Sequence, residues 1–146
     1  MRLLASREGK VTCEAAPLEA LEDAVRLKLS PRPVDSSDRF LYHKTTRRRV
    51  YEQALRSCPG AEDVILWNER GEITETCFGN LVFMLDGELV TPPVSCGLLA
   101  GTFRAGLIEG GLVSERVITM DLLRQSRRFF RVNSVRRWQV AVLEQP

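Results

Sequence analysis

One lysine in this sequence has neighbours that suit covalent chemistry. The 146 residues contain only three lysines, at positions 10, 28 and 44, and arginine supplies the rest of the 21 basic residues. Lys44 follows the run Phe40-Leu41-Tyr42 and precedes a predicted helix. The positive end of a helix dipole and the arginines at 47–49 favour an uncharged amine, the form that attacks an aldehyde. From these residues alone, a solvated surface lysine stays the alternative.

A glutamate in a predicted strand is the second candidate. In the stretch Ile73-Thr74-Glu75-Thr76-Cys77, simple alternation places Ile73, Glu75 and Cys77 on one face. A carboxylate that shares a face with such side chains lies either at an exposed edge or in a buried site. A buried carboxylate requires a cationic partner.

Two further segments are candidates for anion binding. Gly101-Thr102 opens a predicted helix, and free backbone N–H groups at a helix start favour a phosphate. Asn133-Ser134 follows a predicted strand and has donors for the same group, although an ordinary turn would also explain these residues. Neither signal is specific alone, because every helix has a first turn.

Composition indicates one globular domain and excludes several classes of protein. A hydrophobic content of 44% is enough to build a core, and the net charge of +2 is too small to indicate a nucleic-acid or membrane partner. The arginine-rich C-terminal segment is interpreted as a solvated or phosphate-pairing surface, and a nucleic-acid binder is the minor alternative. No run is long and apolar enough to span a bilayer, and the N-terminus lacks the apolar core of a secretory signal. We therefore expect a cytoplasmic protein.

The cysteines and the single histidine do not predict a metal site. None of the four cysteines belongs to a C-x-x-C pair, and His43 is the only histidine. In a cytosolic chain of this size a disulfide framework is not expected either. We interpret the cysteines as small buried apolar residues.

The elements that position these residues follow from periodicity and turn signals. Alternating runs predict strands at 2–5, 11–15, 24–29, 63–67, 72–77, 80–85, 88–91, 115–118, 129–133 and 138–143. Helices are predicted after Thr45 or Thr46 up to position 58, from 102 to 109, and as a turn near Thr119. The Asp86-Gly87 pair is the clearest hairpin signal. The result is an α+β fold with a mixed, largely antiparallel sheet and short helices.

Taken in order, these segments resemble one enzyme family. Lys44-Thr45-Thr46-Arg47-Arg48 is similar to the segment that carries the cofactor lysine in aminodeoxychorismate lyases. The blocks at 64–82 and 89–104 and the segment Asn133-Ser134-Val135-Arg136 resemble the signatures of class IV, or fold-type IV, pyridoxal-phosphate aminotransferases. The resemblance runs from about residue 35 to residue 143.

The resemblance implies a role for each candidate. Lys44 would form the Schiff base with pyridoxal 5′-phosphate (PLP) and then act as the base. Glu75 would pair with the protonated pyridine nitrogen. The backbone at Thr102 and Phe103, together with Ser134, would hold the phosphate, and Asn80 would support the loop after Glu75.

The same resemblance implies a function and its alternatives. The small-molecule substrate would be 4-amino-4-deoxychorismate, cleaved to 4-aminobenzoate and pyruvate in folate biosynthesis. A branched-chain or D-amino-acid transaminase is the first alternative, and a truncated, non-catalytic relative is the second. A homodimer is expected, as is fusion to or association with the aminodeoxychorismate synthase component.

Three departures from the family pattern concern the turn before Thr102, the segment at 126–128 and the length of the chain. Ala100 stands where the family commonly has proline, and Ser126-Arg127-Arg128 replaces a segment that usually carries Ala-Asp-Glu. Family members also have a longer N-terminal half. We therefore expect residues 1–34 to be the remnant of a smaller N-terminal domain with its linker, and residues 35–146 to be the PLP-binding C-terminal domain.

Overall fold

A computed structural model describes residues 1–18, 24–126 and 128–144 of the protein. Within these residues the strands are β1 (Arg2–Ala5), β2 (Val11–Glu14), β3 (Val25–Leu29), β4 (Asp63–Trp67), β5 (Ile73–Thr76), β6 (Asn80–Leu85), β7 (Glu88–Thr91), β8 (Ser114–Glu115), β9 (Phe129–Asn133) and β10 (Arg137–Leu143). The helices are α1 (Arg49–Ser57), α2 (Thr102–Glu109) and α3 (Met120–Gln125), with short 3-10 helices at Arg39–Leu41 and Val94–Cys96. None of these described helices has the length and hydrophobicity needed to cross a membrane.

Eight of the described strands form one mixed sheet in the order β5-β4-β3-β10-β9-β6-β7-β8. The pairs β4–β5, β6–β7, β6–β9 and β9–β10 are antiparallel, and β3–β4, β3–β10 and β7–β8 are parallel. The predicted fold class, a mixed sheet with short helices, is confirmed.

One face of this sheet buries the largest hydrophobic cluster. Phe83 of β6 and Phe129 of β9 stack with ring centroids 5.4 Å apart, and Leu123 of α3 belongs to the same cluster. Leu27 and Ile65, from β3 and β4, are fully buried there. A fully buried leucine or isoleucine side chain contributes about 2–3 kcal/mol of transfer free energy, so this cluster contributes strongly to the stability of the sheet.

The other face is covered by α1 and α2, which pack over different strands. Val64 and Leu66 alternate with Ile65 along β4, so they point to this second face, where Tyr51 and Ala54 of α1 cover them. Further along the sheet, α2 covers β6 and β9, and its residues Phe103, Leu107 and Ile108 pack with Val82 and Val132. The space between the two helices is the place where a site can form.

The start of α1 differs from the prediction. The helix begins at Arg49 rather than after Thr45 or Thr46, and no side chain caps its first turn. The Thr45 hydroxyl instead accepts a hydrogen bond from the backbone N–H of Arg47 at 3.2 Å. A threonine that bonds the backbone two residues ahead stabilises a turn in place of a helix.

The predicted strand at 115–118 is also shorter and shifted. In the structure β8 covers only Ser114–Glu115, which pair with Val90 and Thr91 of β7. The next residues of the partner strand would be Pro92 and Pro93, and proline has no N–H to extend the ladder. The pairing of β8 therefore ends where β7 ends.

The N-terminal residues fall into two structurally different parts. The hairpin β1–β2 forms a sheet of its own and is largely exposed. In contrast, β3 is hydrogen-bonded between β4 and β10 in the main sheet. The main sheet therefore contains residues from both sides of the predicted domain division at residue 35.

Candidate active site

A cavity of about 240 Å³ lies between the segment that leads into α1 and the start of α2. Four of the predicted site residues line it: Lys44, Glu75, Thr102 and Ser134. The fifth, Phe103, is not among the lining residues. The fold thus brings a lysine, a glutamate, a helix start and a β-turn from four distant parts of the chain to one place.

Lys44 reaches this cavity from an exposed loop. Its side chain makes no hydrogen bond or ion pair with another described residue, so its amine is available for a ligand. The prediction that Lys44 lies beside a helix N-terminus is wrong, because α1 starts five residues later at Arg49. A helix dipole acts within its own first turn, so it does not act on Lys44.

Glu75 is directed to the cavity by an irregularity in the sheet. Ile65 pairs with Thr76 and Trp67 pairs with Ile73, so two steps along β4 oppose three steps along β5. An extra residue of this kind turns the side chains that follow to the opposite face. Ile73 therefore packs in the cluster of Phe83, whereas Glu75 lines the cavity and Cys77 packs beneath α1. The prediction that simple alternation places these three residues on one face is wrong for Ile73.

The Glu75 carboxyl group is buried and hydrogen-bonded on both oxygens. Its side chain is only 4% exposed. The Tyr51 hydroxyl donates to Oε1 at 2.7 Å, and Nδ2 of Asn80 donates to Oε2 at 3.3 Å. Burial raises the pKa of Glu75 to about 8, although the hydrogen bond from Tyr51 and the nearby Lys44 and Arg48 charges oppose that rise. At neutral pH and without a ligand, this carboxyl group mostly holds its proton.

Asn80 connects Glu75 to the loop before α2. Its Nδ2 also donates to the carbonyl oxygen of Leu99 at 2.9 Å. A Cβ atom at Gly101 would lie 2.2 Å from Oδ1 of Asn80, so only glycine fits at that position. The described contacts of the Asn80 side chain hold Glu75 and the helix start on the opposite side of the cavity, and its support of the loop after Glu75 stays a prediction.

The start of α2 offers unpaired donors to the cavity. Its N-cap residue is Gly101, and no side chain caps the first turn. The N–H groups of Thr102 and Phe103 lie in this first turn, where no intrahelical acceptor exists. The Phe103 side chain points elsewhere and contacts Trp138 edge-on at 6.2 Å between centroids. Only the backbone of Phe103 is therefore placed to serve a ligand.

Ser134 lies in the turn between β9 and β10, opposite this helix start. Asn133 fixes the turn, because its Oδ1 accepts from the N–H groups of Val135 and Arg136 at 3.0 and 2.7 Å. The Ser134 side chain is exposed at the cavity. Together, the helix start and this hydroxyl suit a phosphate group.

The sequence model of the aminotransferase class IV family matches residues 3–142. The chain belongs to that family. A curated relative, the protein named "Putative aminodeoxychorismate lyase" of Schizosaccharomyces pombe, is 30% identical over 141 residues. That alignment covers 90% of this chain but only 61% of the relative, so the chain spans less than two thirds of its length.

Solved structures show the same class IV fold. A chain described as a putative amino-acid aminotransferase from Mesorhizobium loti superposes with a TM-score of 0.90 at 38% identity, covering 97% of this chain and 71% of that one. A hypothetical aminotransferase from Mycobacterium tuberculosis, solved in a PLP-bound form, superposes with a TM-score of 0.67 at 24% identity. It covers 83% of this chain and 48% of that one.

Two residues of this class IV chain belong to the site although the sequence did not predict them. Tyr51 binds Glu75, and the Arg48 guanidinium lies 4.6 Å from the Tyr51 ring centroid and donates to the Cys77 carbonyl oxygen at 2.5 Å. A helical wheel contains a signal for Tyr51, because it shares a face with Ala54 and Cys58 at spacings of three and seven. A tyrosine on a buried helix face needs a partner for its hydroxyl.

Proposed function

We propose that this protein is a PLP-dependent lyase that converts 4-amino-4-deoxychorismate to 4-aminobenzoate and pyruvate. The observation that carries the proposal is that one cavity holds both the buried Glu75 acid and an exposed Lys44, which has no hydrogen bond or ion pair with a described residue. The name of the fission-yeast relative supports lyase chemistry, at 30% identity.

The residues of the cavity fit the cofactor by their chemistry. The uncapped start of α2 and the Ser134 hydroxyl would hold its phosphate, and Glu75 would bind its ring nitrogen. Lys44 would bond to its aldehyde carbon. The PLP-bound neighbour of the same fold supports this choice of cofactor. When bound, PLP supplies an electron sink for the carbon that carries the substrate amino group.

Within that arrangement the protein contributes proton transfer and positioning. The Lys44 amine, set free when the substrate amino group takes its place, would remove the proton from the ring carbon that bears that amino group. The C–O bond to the enolpyruvyl group then breaks, and the departing group takes up a proton to become pyruvate. The buried Glu75 carboxyl holds a proton at the far side of the cavity, where Tyr51 and Asn80 fix its two oxygens. Aromatisation of the ring drives the reaction, so the main contribution of the protein is to orient the substrate.

An amino-acid transaminase is the second candidate. It would use the same lysine and glutamate but pass the amino group to a keto acid. The description of the 38% identical structure as an amino-acid aminotransferase favours this reading. A homodimer, and an association with the aminodeoxychorismate synthase component, stay predictions of the family resemblance.

The first test is attachment of the cofactor. The purified chain is incubated with PLP, its absorbance is recorded, and the adduct is fixed with borohydride and located by peptide mass mapping. We expect the adduct on Lys44, and none in Lys44→Ala, whose free energy of unfolding should change by less than about 0.5 kcal/mol because the side chain is exposed. Lys28→Arg is the matched control, since Lys28 donates to the Pro59 carbonyl oxygen away from the cavity.

The second test separates the two reactions. The loaded protein is given 4-amino-4-deoxychorismate, and 4-aminobenzoate and pyruvate are measured in equal amounts if the lyase proposal is right. Amino transfer to a keto acid without release of pyruvate would support the transaminase instead. A protein that carries no adduct on Lys44 would contradict both.

A further inference from the structure

A second, larger cavity of about 630 Å³ adjoins the first one. The two cavities share Phe40, Arg47 and Tyr51 as lining residues. Arg49 lines only the second cavity. The space next to Lys44 and the space next to Arg49 are therefore neighbours, with Arg47 at the boundary between them.

The second cavity has two arginines and one carboxylate among its described lining residues. Arg47 and Arg49 form no ion pair with any residue in the described part of the chain. Asp38 is the single carboxylate among the described lining residues, and its Oδ1 already accepts a hydrogen bond from the Phe40 backbone N–H at 2.9 Å. Two guanidinium groups at one cavity that form no ion pair with a described residue favour an anionic ligand.

Phe40 gives this cavity a flat apolar surface and positions Arg47. The Arg47 guanidinium carbon lies 4.9 Å from the Phe40 ring centroid, and that of Arg39 lies 5.1 Å from it. Such cation–π contacts stabilise the guanidinium of Arg47 at the boundary between the two cavities. An aromatic ring beside a planar guanidinium suits a flat, unsaturated ligand better than an aliphatic one.

We propose that Arg47 and Arg49 bind a second carboxylate of the substrate, remote from the carbon that carries the amino group. This inference rests on the proposed function. It assigns the substrate to the class of unsaturated ring compounds that carry two carboxylates, a class to which 4-amino-4-deoxychorismate belongs. An amino acid with one carboxylate and a short aliphatic side chain leaves the Arg49 subsite unused.

The test measures ligand binding to the whole chain by isothermal titration calorimetry, with and without PLP, at constant ionic strength. The probes are isophthalate, a flat ring with two carboxylates, and benzoate, which has one. We expect isophthalate to bind more tightly than benzoate. Arg49→Gln and Arg47→Gln should each weaken isophthalate binding by about tenfold, the size of one lost charge-assisted hydrogen bond.

A matched control corrects for the loss of one positive charge. Arg56 is exposed on the same helix, pairs with Glu52 and lines neither cavity. Arg56→Gln should bind both acids as the wild type does. Two results would overturn the inference. One is equal isophthalate binding by Arg49→Gln and the wild type. The other is isophthalate that binds to the wild type no more tightly than benzoate, with or without PLP.

Failure of this inference is distinguishable from failure of the proposed function. If Lys44 carries the adduct but wild type and Arg49→Gln bind isophthalate with equal affinity, the proposed subsite is contradicted and the proposed PLP chemistry is supported. If the two variants selectively lose isophthalate binding but wild-type Lys44 carries no adduct, the anion subsite is supported and the proposed PLP chemistry is contradicted.

Discussion

Replacing Glu75 by glutamine should change how stability depends on pH. The Glu75 carboxyl is 4% exposed, and burial raises its pKa to about 8 from an ordinary value of 4.5. Glutamine has nearly the same shape, can accept the hydrogen bond from Tyr51 and carries no titratable proton. The comparison therefore isolates the ionisation of one buried group.

The sign follows from proton binding in the two states. Between pH 4.5 and pH 8 the folded chain keeps the Glu75 proton while the unfolded chain loses it. The stability that this protonation contributes is complete below pH 4.5 and is lost as pH rises through 8. At about 1.4 kcal/mol per pH unit, the wild type should lose roughly 3–5 kcal/mol across this window relative to Glu75→Gln. That is a large part of the 5–15 kcal/mol typical of a small domain.

Urea denaturation of the chain without cofactor, at pH 5 and pH 8.5, measures this difference. Other groups that titrate in this range cancel when the pH dependence of the variant is subtracted from that of the wild type. Glu88→Gln, at an exposed position in β7, is the control and should follow the wild type. If the stabilities of wild type and Glu75→Gln change in parallel to within about 1 kcal/mol, the carboxyl does not titrate as its burial requires.

Two further substitutions test the polar contacts around the cavity. Tyr51→Phe removes the donor to Oε1 of Glu75 and should cost about 1–3 kcal/mol of unfolding free energy at pH 6, read from urea midpoints; a change below 0.5 kcal/mol would show that this hydrogen bond is absent in solution. Gly101→Ala would place a Cβ atom 2.2 Å from Oδ1 of Asn80 and should cost about 1–3 kcal/mol. Its control is Gly106→Ala in α2, where nothing lies within 4 Å and alanine should stabilise the helix by about 0.5–1 kcal/mol; equal effects at the two positions would contradict the close approach.

Features with a local cause could be predicted from the sequence. Strands β4, β6, β7 and β9 have the predicted bounds, because apolar runs there end at turn residues. The hairpin at Asp86-Gly87 is confirmed, with positive φ values of 53° and 83°. Thr119 was expected to start a helical turn, and its side chain does cap α3 by accepting from the Leu122 N–H. Each of these features depends on neighbours within a few residues.

Features that depend on distant pairing could not be predicted in the same way. Nothing in the sequence of β3 indicates that it pairs with β10, more than a hundred residues later, or that both of its neighbours run parallel to it. The extra residue in β5 cannot be predicted from the sequence of β5 either, because it is defined by how that strand pairs with β4. Without that register, period-two alternation gives the wrong face for Ile73.

The site itself combines both kinds of information. Local signals and family resemblance predict Lys44, Glu75, Thr102 and Ser134 as site residues, and the fold places all four at one cavity. Their distances from one another are set by non-local packing, since α1 and α2 are held to the same face of the sheet by separate apolar clusters.

The polar contacts between these two helices explain why a buried acid is tolerated at this point. Tyr51 on α1 and Asn80 on β6 each donate to one oxygen of Glu75, and Asn80 also donates to the loop that leads into α2. A carboxyl with donors on both oxygens avoids much of the cost of burial, but Glu75 forms no ion pair with a described residue, so burial still disfavours its charged form. In the buried surroundings that keep the Glu75 carboxyl protonated when no ligand is bound, a carboxylate and a positive charge attract each other strongly. A ligand that places a positive charge next to Glu75 would therefore be stabilised there.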